Sequence, residues 1–154
     1  MENTEQKSRA DKAVDLFVEG YNCSQAVFMA FADKFDIDKT TAAALSTSFG
    51  GGIGRLREMC GAVSGGAMLL GLKYPHLDPS DTSFKDKNYQ IVQNFVLEFK
   101  KEIGSYNCDE ILDIFSVQNI SNPITETEKL YAEKPCARCV RVAAELIEKE
   151  LSDG

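Results

Sequence analysis

Histidine is nearly missing from this chain. The single one, His76, sits in a proline-flanked segment remote in sequence from every cysteine. A zinc site built on several imidazoles is therefore excluded, and any metal site would have to be rich in thiolates, a ligand set that suits zinc, copper(I) or iron–sulfur. A surplus of positive charge is missing as well. The net charge is -7 and the pI about 4.8, which argues against a nucleic-acid backbone or an anionic membrane as the main partner. The opening residues, MENTEQKSRADK, hold no apolar core of a signal peptide, and no apolar run approaches the roughly 20 residues of a membrane span. A cytoplasmic location is the resulting expectation. Alternating strand patterns, hairpin turn pairs, low-complexity runs and long linkers are also lacking, which leaves little basis for a sheet.

What is present is helical spacing. The 154 residues predict one all-α domain, a bundle of about six to seven helices with its core over residues 10–151 and a disordered tail at 1–7. Ala10, Ala13, Val14, Phe17 and Val18 form a first stripe ending at Gly20. Cys23, Ala26, Val27, Ala30 and Phe31 form a second, opened by Asn22 and Gln25 as a capping box. Asp38 caps a short third helix over 40–48, which runs into a glycine loop at 50–54. An apolar helix rich in small residues follows over about 58–72, then a breaker segment at 74–81. A long helix over 83–103 carries Tyr89, Val92, Val96, Phe99 and Ile103 and stops at Gly104. Asn107 and Glu110 repeat the capping-box pattern before Ile111 and Leu112. Residues 116–123 read as irregular and 125–132 as one or two helical turns. The last helix, 136–151, buries Cys136, Cys139 or Val140, Ala143, Ile147 and Leu151.

Against this background the cysteines stand out, because four of the five fall where a helix begins. Cys23 follows Asn22, Cys60 opens CGAVSGGAMLLGL, Cys108 follows Asn107, and Cys136 follows Pro135. A helix start offers unpaired N–H groups and the positive end of the macrodipole, both of which favour thiolate over thiol. Thiolate is the nucleophile and the metal ligand. In a reducing cytosol, five cysteines point to catalytic, redox-sensing or metal-binding thiols more than to a static disulfide framework. Cys136-Ala-Arg-Cys139 puts two thiols on one helical face, with Pro135 suited to the first turn. No βαβ pattern surrounds it, as a thioredoxin-like motif would require, and Val140 stands where haem attachment needs histidine. Cys139 reads equally well as a small hydrophobe of the core stripe.

Around Cys60 the glycines 50–54 allow close backbone approach, and Arg55 and Arg57 bring positive charge. Gly61, Gly65 and Gly66 strip one side of the following helix, so that another helix or a ligand can lie against it; Gly61 and Gly65 are the candidate cofactor-contacting positions. A phosphate loop does not fit, since no Gly-Lys-Ser/Thr follows and no strand precedes. Glu145, Glu148 and Glu150 read as a solvated helix face.

These pieces resemble the C_GCAxxG_C_C family, described as redox-active proteins of about this length with four characteristic cysteines. The matching stretches are Gly20-Tyr21-Asn22-Cys23-Ser24-Gln25-Ala26-Val27 and Cys60-Gly61-Ala62-Val63-Ser64-Gly65, with Cys108 as the third cysteine and Cys136 as the fourth. The resemblance implies that Cys23, Cys60, Cys108 and Cys136 are the functional set, and it leaves Cys139 outside. It implies a redox role without a substrate. Three readings follow. One is thiol–disulfide exchange or electron transfer by an oxidoreductase that uses no cofactor and serves a redox partner protein. Its attacking thiolate would be Cys60 beside Arg55 and Arg57, with a resolving cysteine within about 7 Å Cα to Cα. The second is a metal module, in which the same four cysteines bind zinc or an iron–sulfur cluster. The third is an interaction protein, in which the cysteines fill the core and an exposed apolar face pairs two copies as a homodimer.

Overall fold

A computed structural model describes residues 7–117 and 134–152. The tail 1–7, apart from Lys7, and the helical turns expected at 125–132 lie outside the described residues, as does 118–123 of the expected irregular segment. Among the described residues there are seven α-helices and no sheet. They are α1 (Arg9–Glu19), α2 (Cys23–Met29), α3 (Lys39–Ser46), α4 (Gly61–Lys73), α5 (Thr82–Ile103), α6 (Cys108–Val117) and α7 (Cys136–Ser152). The all-α expectation holds.

Helix starts are set locally, and several are written plainly in the sequence. Asn22 accepts from the Gln25 amide at 2.9 Å while the Gln25 side chain accepts from the Asn22 amide at 3.1 Å, closing the expected box. Asp38 takes the Thr41 amide at 3.0 Å, and Asp81 takes Ser83 at 3.1 Å. At α6 the box is altered. Asn107 accepts from Glu110 at 2.9 Å, but the Asn107 amide donates to the Ser105 hydroxyl, and that hydroxyl donates to Glu110.

Two long-range features move elements from where the pattern put them. α4 begins at Gly61, three residues later than expected, because Glu58 and Met59 are held outside the helix. Met59 forms an isolated antiparallel bridge with Asn107, the Cys60 amide donates to Tyr106 O at 2.9 Å, and the Cys108 amide donates to Glu58 O at 2.6 Å. In α5 the buried residues are Phe95, Phe99 and Ile103, whereas Tyr89 is exposed. The ring of Phe95 reaches the bare side of Gly66, where a Cβ would meet it at 2.5 Å. A complementary partner on α4 thus turns the face of the long helix. Val18 likewise points to solvent; α1 buries Ala10, Ala13 and Val14.

The core lies where α2 and α7 meet α4, with Val27, Phe31, Val63, Leu69, Leu70, Val140 and Ile147 at or near full burial. α1 runs along α7 and is tied to it by Arg141 on Asp11 at 2.9 Å and by the Arg9 amide on Glu148 at 3.1 Å. No helix among the described residues is long and apolar enough to cross a membrane.

A candidate thiol cluster at four helix starts

Each of the four helix-start cysteines is where the sequence placed it. Cys23, Cys108 and Cys136 are the first residues of α2, α6 and α7, and Cys60 is the N-cap of α4. The bridge between Met59 and Asn107 sets Cys60 beside the start of α6. Gly61 brings α2 in from the other side: a Cβ there would lie 2.5 Å from the Cys23 sulfur and 2.8 Å from Phe49 O. At Gly65 the same space is filled by the Ser24 carbonyl, 2.7 Å from where a Cβ would be. What lies against both glycines is therefore α2, one of the two occupants the small residues were expected to admit. Ser24 is fully buried, and among the described residues its hydroxyl has no hydrogen-bond partner.

The sulfurs feel one another. Cys23 is pushed up to about 12, first by burial, then by the charges of Cys60 and Cys136; the Gly51 amide opposes this. Cys136 is pushed up to about 11 by burial, then by Cys60 and Cys108, with the Arg57 guanidinium pulling the other way. Cys139 is raised well above its ordinary value, chiefly by its hydrogen bond with Cys60. Among Cys23, Cys60, Cys136 and Cys139, Cys60 is the one that is lowered. Its largest cause is the Cys139 thiol, and the Ala62 and Val63 amides at the start of α4 add to it against the burial penalty, although no side-chain cap hydrogen bond forms there. The result is one thiol, Cys60, shifted toward thiolate and three, Cys23, Cys136 and Cys139, shifted toward the protonated form.

This corrects two expectations. Helix starts were expected to favour thiolate at every one of the four sites, yet at Cys23 and Cys136 desolvation outweighs the amides and dipole. Arg55 and Arg57 were expected beside Cys60, but the Arg57 guanidinium lies 3.8 Å from the Cys108 sulfur, and neither arginine is among the groups that lower Cys60. The fifth cysteine, Cys139, is 1% exposed, belongs to the same buried core cluster as Cys23 and Cys60, and is the largest influence lowering Cys60. Its spacing from Cys136 was the available signal, but the same spacing fits a core position. All five cysteines are free thiols; four are buried, and Cys136 is half-buried.

The loop that joins α3 to Cys60 has unusual backbone. Gly51, Gly52, Ile53, Gly54, Arg55 and Arg57 all have φ between 56° and 70°. Three of these are not glycine, and each such residue costs about 1–2 kcal/mol. Strain of this kind is held only where surrounding contacts fix it. Here the Arg57 and Glu58 amides bond back to Gly51 O and Gly52 O at 3.1 and 2.9 Å. The loop delivers the Gly51 amide to Cys23 and the Arg57 side chain to Cys108.

A metal centre would need at least three ligands converging on one point. Among the described residues no group of three His, Cys, Asp or Glu side chains is arranged to hold a metal ion.

An all-α bundle that carries a cysteine at each of four helix starts defines a helical cysteine-motif protein. The family model described as "Putative redox-active protein (C_GCAxxG_C_C)" matches residues 21–150, and the chain belongs to that family. No curated protein and no solved structure matches it.

Proposed function

We propose that this protein is a thiol–disulfide oxidoreductase that exchanges two electrons with a redox partner protein, with Cys60 as the attacking thiolate. The arrangement that supports the reading best is Cys60 at the N-cap of α4, with its amide bonded to Tyr106 O just before Cys108 and its neighbour Gly61 against the Cys23 sulfur; there the Ala62 and Val63 amides help to lower Cys60 while burial raises Cys23. An exchange site needs both, a nucleophile and a second sulfur to displace the partner. In the forward direction the Cys60 sulfur attacks one sulfur of a partner disulfide. A mixed disulfide forms and the other partner sulfur leaves as thiolate. A second cysteine of the cluster then loses its proton and attacks the Cys60 sulfur, releasing the partner's remaining thiolate. The partner disulfide is reduced by two electrons and two cysteines are oxidised; the reverse sequence reduces the cluster.

Cys23, Cys108 and Cys136 complete the cluster, with Arg57 lowering Cys136 and contacting Cys108. No cofactor is needed for this chemistry. The bundle acts as a single domain in the reducing cytosol, where a cluster of free thiols is the resting form.

Equilibration of the reduced protein in glutathione buffers of stepped potential, followed by counting free thiols, tests the reading. The expected result is reversible loss of two thiols per chain at one midpoint. Retention of all five thiols in the most oxidising buffer would overturn it.

A further inference from the structure

Cys60 and Cys108 offer a partner little surface of their own, being 6% and 8% exposed. The segment leading to Cys60 is the opposite. Every residue from Ile53 to Glu58 is exposed, Leu56 to 72% and Ile53 to 42%. This loop is fastened to the start of α6: the Glu58 carbonyl accepts from the Cys108 amide at 2.6 Å, and the Arg57 carbonyl accepts from the Asp109 amide at 3.3 Å.

Two arginine side chains converge on the loop. A Cβ at Gly51 would lie 2.9 Å from Arg55 Cγ and 3.7 Å from Arg57 Nη1, so both pass over the same bare glycine. Arg57 Nη1 lies 3.8 Å from the Cys108 sulfur. Among the described residues neither guanidinium forms an ion pair, although Glu58 and Asp109 are close along the backbone. The chain as a whole carries a net charge of -7. Two arginines kept apart from its carboxylates, one of them on a cysteine sulfur, are placed for an anion from outside.

We propose that the loop 53–57 docks an acidic, partly apolar segment of the redox partner protein, with Arg55 and Arg57 taking its carboxylates and Leu56 an apolar side chain. Disulfides flanked by acidic residues are then the preferred substrates. The proposal rests on the exchange activity above and deepens it by naming the substrate class. A guanidinium fork matches a carboxylate, and charges at the rim of a contact act mainly on the rate of association and its salt dependence. The sulfur chemistry is unchanged. Cys60 bonds to one partner sulfur, and the other leaves as thiolate. A second cysteine gives up its proton to a partner thiolate and displaces the partner, so that two cysteines lose the two electrons the partner disulfide gains.

The test uses the full reduced chain without oxygen and three symmetrical peptide disulfides with blocked ends: Glu-Leu-Cys-Glu, Gln-Leu-Cys-Gln and Lys-Leu-Cys-Lys. Each exchange rate is divided by that of 2-mercaptoethanol with the same peptide, which removes the peptide's own reactivity. The expected order is acidic, neutral, basic, with about tenfold between the first two at low salt. In roughly 1 M salt, where the Debye length is about 3 Å, the preference should vanish. Arg55→Gln with Arg57→Gln should bring the acidic-to-neutral ratio to about one, and the corresponding pair of lysine substitutions should retain most of it. Arg55→Gln alone serves if the double variant does not fold, and should lower the ratio about threefold. Leu56→Ser should slow the acidic peptide about threefold or more. Oxidised glutathione, normalised in the same way, should react more slowly than the acidic peptide; equal rates would mean that a free small disulfide suffices and would overturn the docking of a protein segment. Equal rates for acidic and basic peptides, or a preference that survives the double glutamine variant, would overturn the docking loop while leaving exchange intact. Failure of every disulfide to react would overturn both readings.

Discussion

Two glycine-rich stretches, 50–54 and 61–66, stand on either side of the approach to Cys60, and they use the missing side chain in opposite ways. In the first the need is torsional: Gly51, Gly52 and Gly54 take positive φ so that the chain can turn back and deliver an amide to Cys23. In the second the need is steric: Gly61, Gly65 and Gly66 are helical, and each surrenders its Cβ volume to a neighbour from α2 or α5. The contrast shows that the cluster is held by two separable devices. One shapes the backbone around the sulfurs, and the other sets how closely the helices carrying them approach.

The largest effect should come from breaking the steric device. Gly61→Ala puts a methyl group 2.8 Å from Phe49 O, a backbone atom that cannot swing aside. The expected loss is about 3 kcal/mol, the upper part of the usual overpacking range, read by urea denaturation. Gly71→Ala sharpens the point, because nothing lies within 4 Å of that Cβ. There, helix propensity should give a gain of up to about 1 kcal/mol. Equal effects at the two positions of α4 would remove packing as the explanation.

Gly52→Ala probes both devices at once. Its φ is 70°, and its Cβ would meet Glu58 N at 2.6 Å. Strain and contact together predict a loss of about 2 kcal/mol, with weakened protection of the Glu58 amide in hydrogen exchange. Loss of stability with that amide still protected would place the fault elsewhere.

Much of this arrangement was legible in the sequence, for reasons that differ between levels. The caps at Asn22, Asp38 and Asn107 are contacts between residues two or three apart, so spacing alone reveals them. The place of Cys23, Cys60, Cys108 and Cys136 at helix starts was legible from the asparagine caps, the glycine-rich run and Pro135 beside them. The start of α4 was not, because it depends on the Met59–Asn107 bridge, a pairing across 48 residues. Nor was the order of thiol acidities. Helix starts are local, but desolvation is set by everything packed around a sulfur, and at Cys23 and Cys136 it wins. Arg57 was read as a neighbour of Cys60 because it lies three residues away in sequence; its positive φ helps to send the side chain to Cys108 instead.

The steric device also governs how the protein responds to alkali. Burial pushes Cys23 up to about 12 and Cys136 up to about 11 in the fold, against an ordinary value of 9.0. Above pH 9 the unfolded chain therefore binds fewer protons at these sites than the native one, and stability must fall as pH rises. The fall is at most about 1.4 kcal/mol per pH unit for each thiol, up to the native values. Cys60 has the opposite sign: its contribution is complete above the unfolded value and is lost as pH falls through its lowered native one. Denaturation midpoints at pH 8 and pH 10 should show a net decrease. Because Cys139 is raised as well, Cys23→Ala should reduce that decrease by about a third; an unchanged slope would mean that Cys23 is not held protonated by its packing against α4.

The smallest effect belongs to the torsional device, and it reverses the usual sign. Ile53 is a β-branched residue at φ 66° and 42% exposed, so its left-handed backbone is opposed by its own side chain. Ile53→Gly removes that opposition, worth about 1–2 kcal/mol, and adds roughly 0.5–1 kcal/mol of chain entropy to be lost on folding. The balance is a gain of about 0.5–1 kcal/mol. Leu56→Gly is the matched control, since Leu56 is exposed in the same loop but is absent from the positive-φ set; only the entropic loss should appear there. Thermal unfolding of the two variants should move in opposite directions. If both fall together, residues 51–57 are held by their side chains and not by the hydrogen-bonded backbone, and the division of labour between the two glycine stretches disappears.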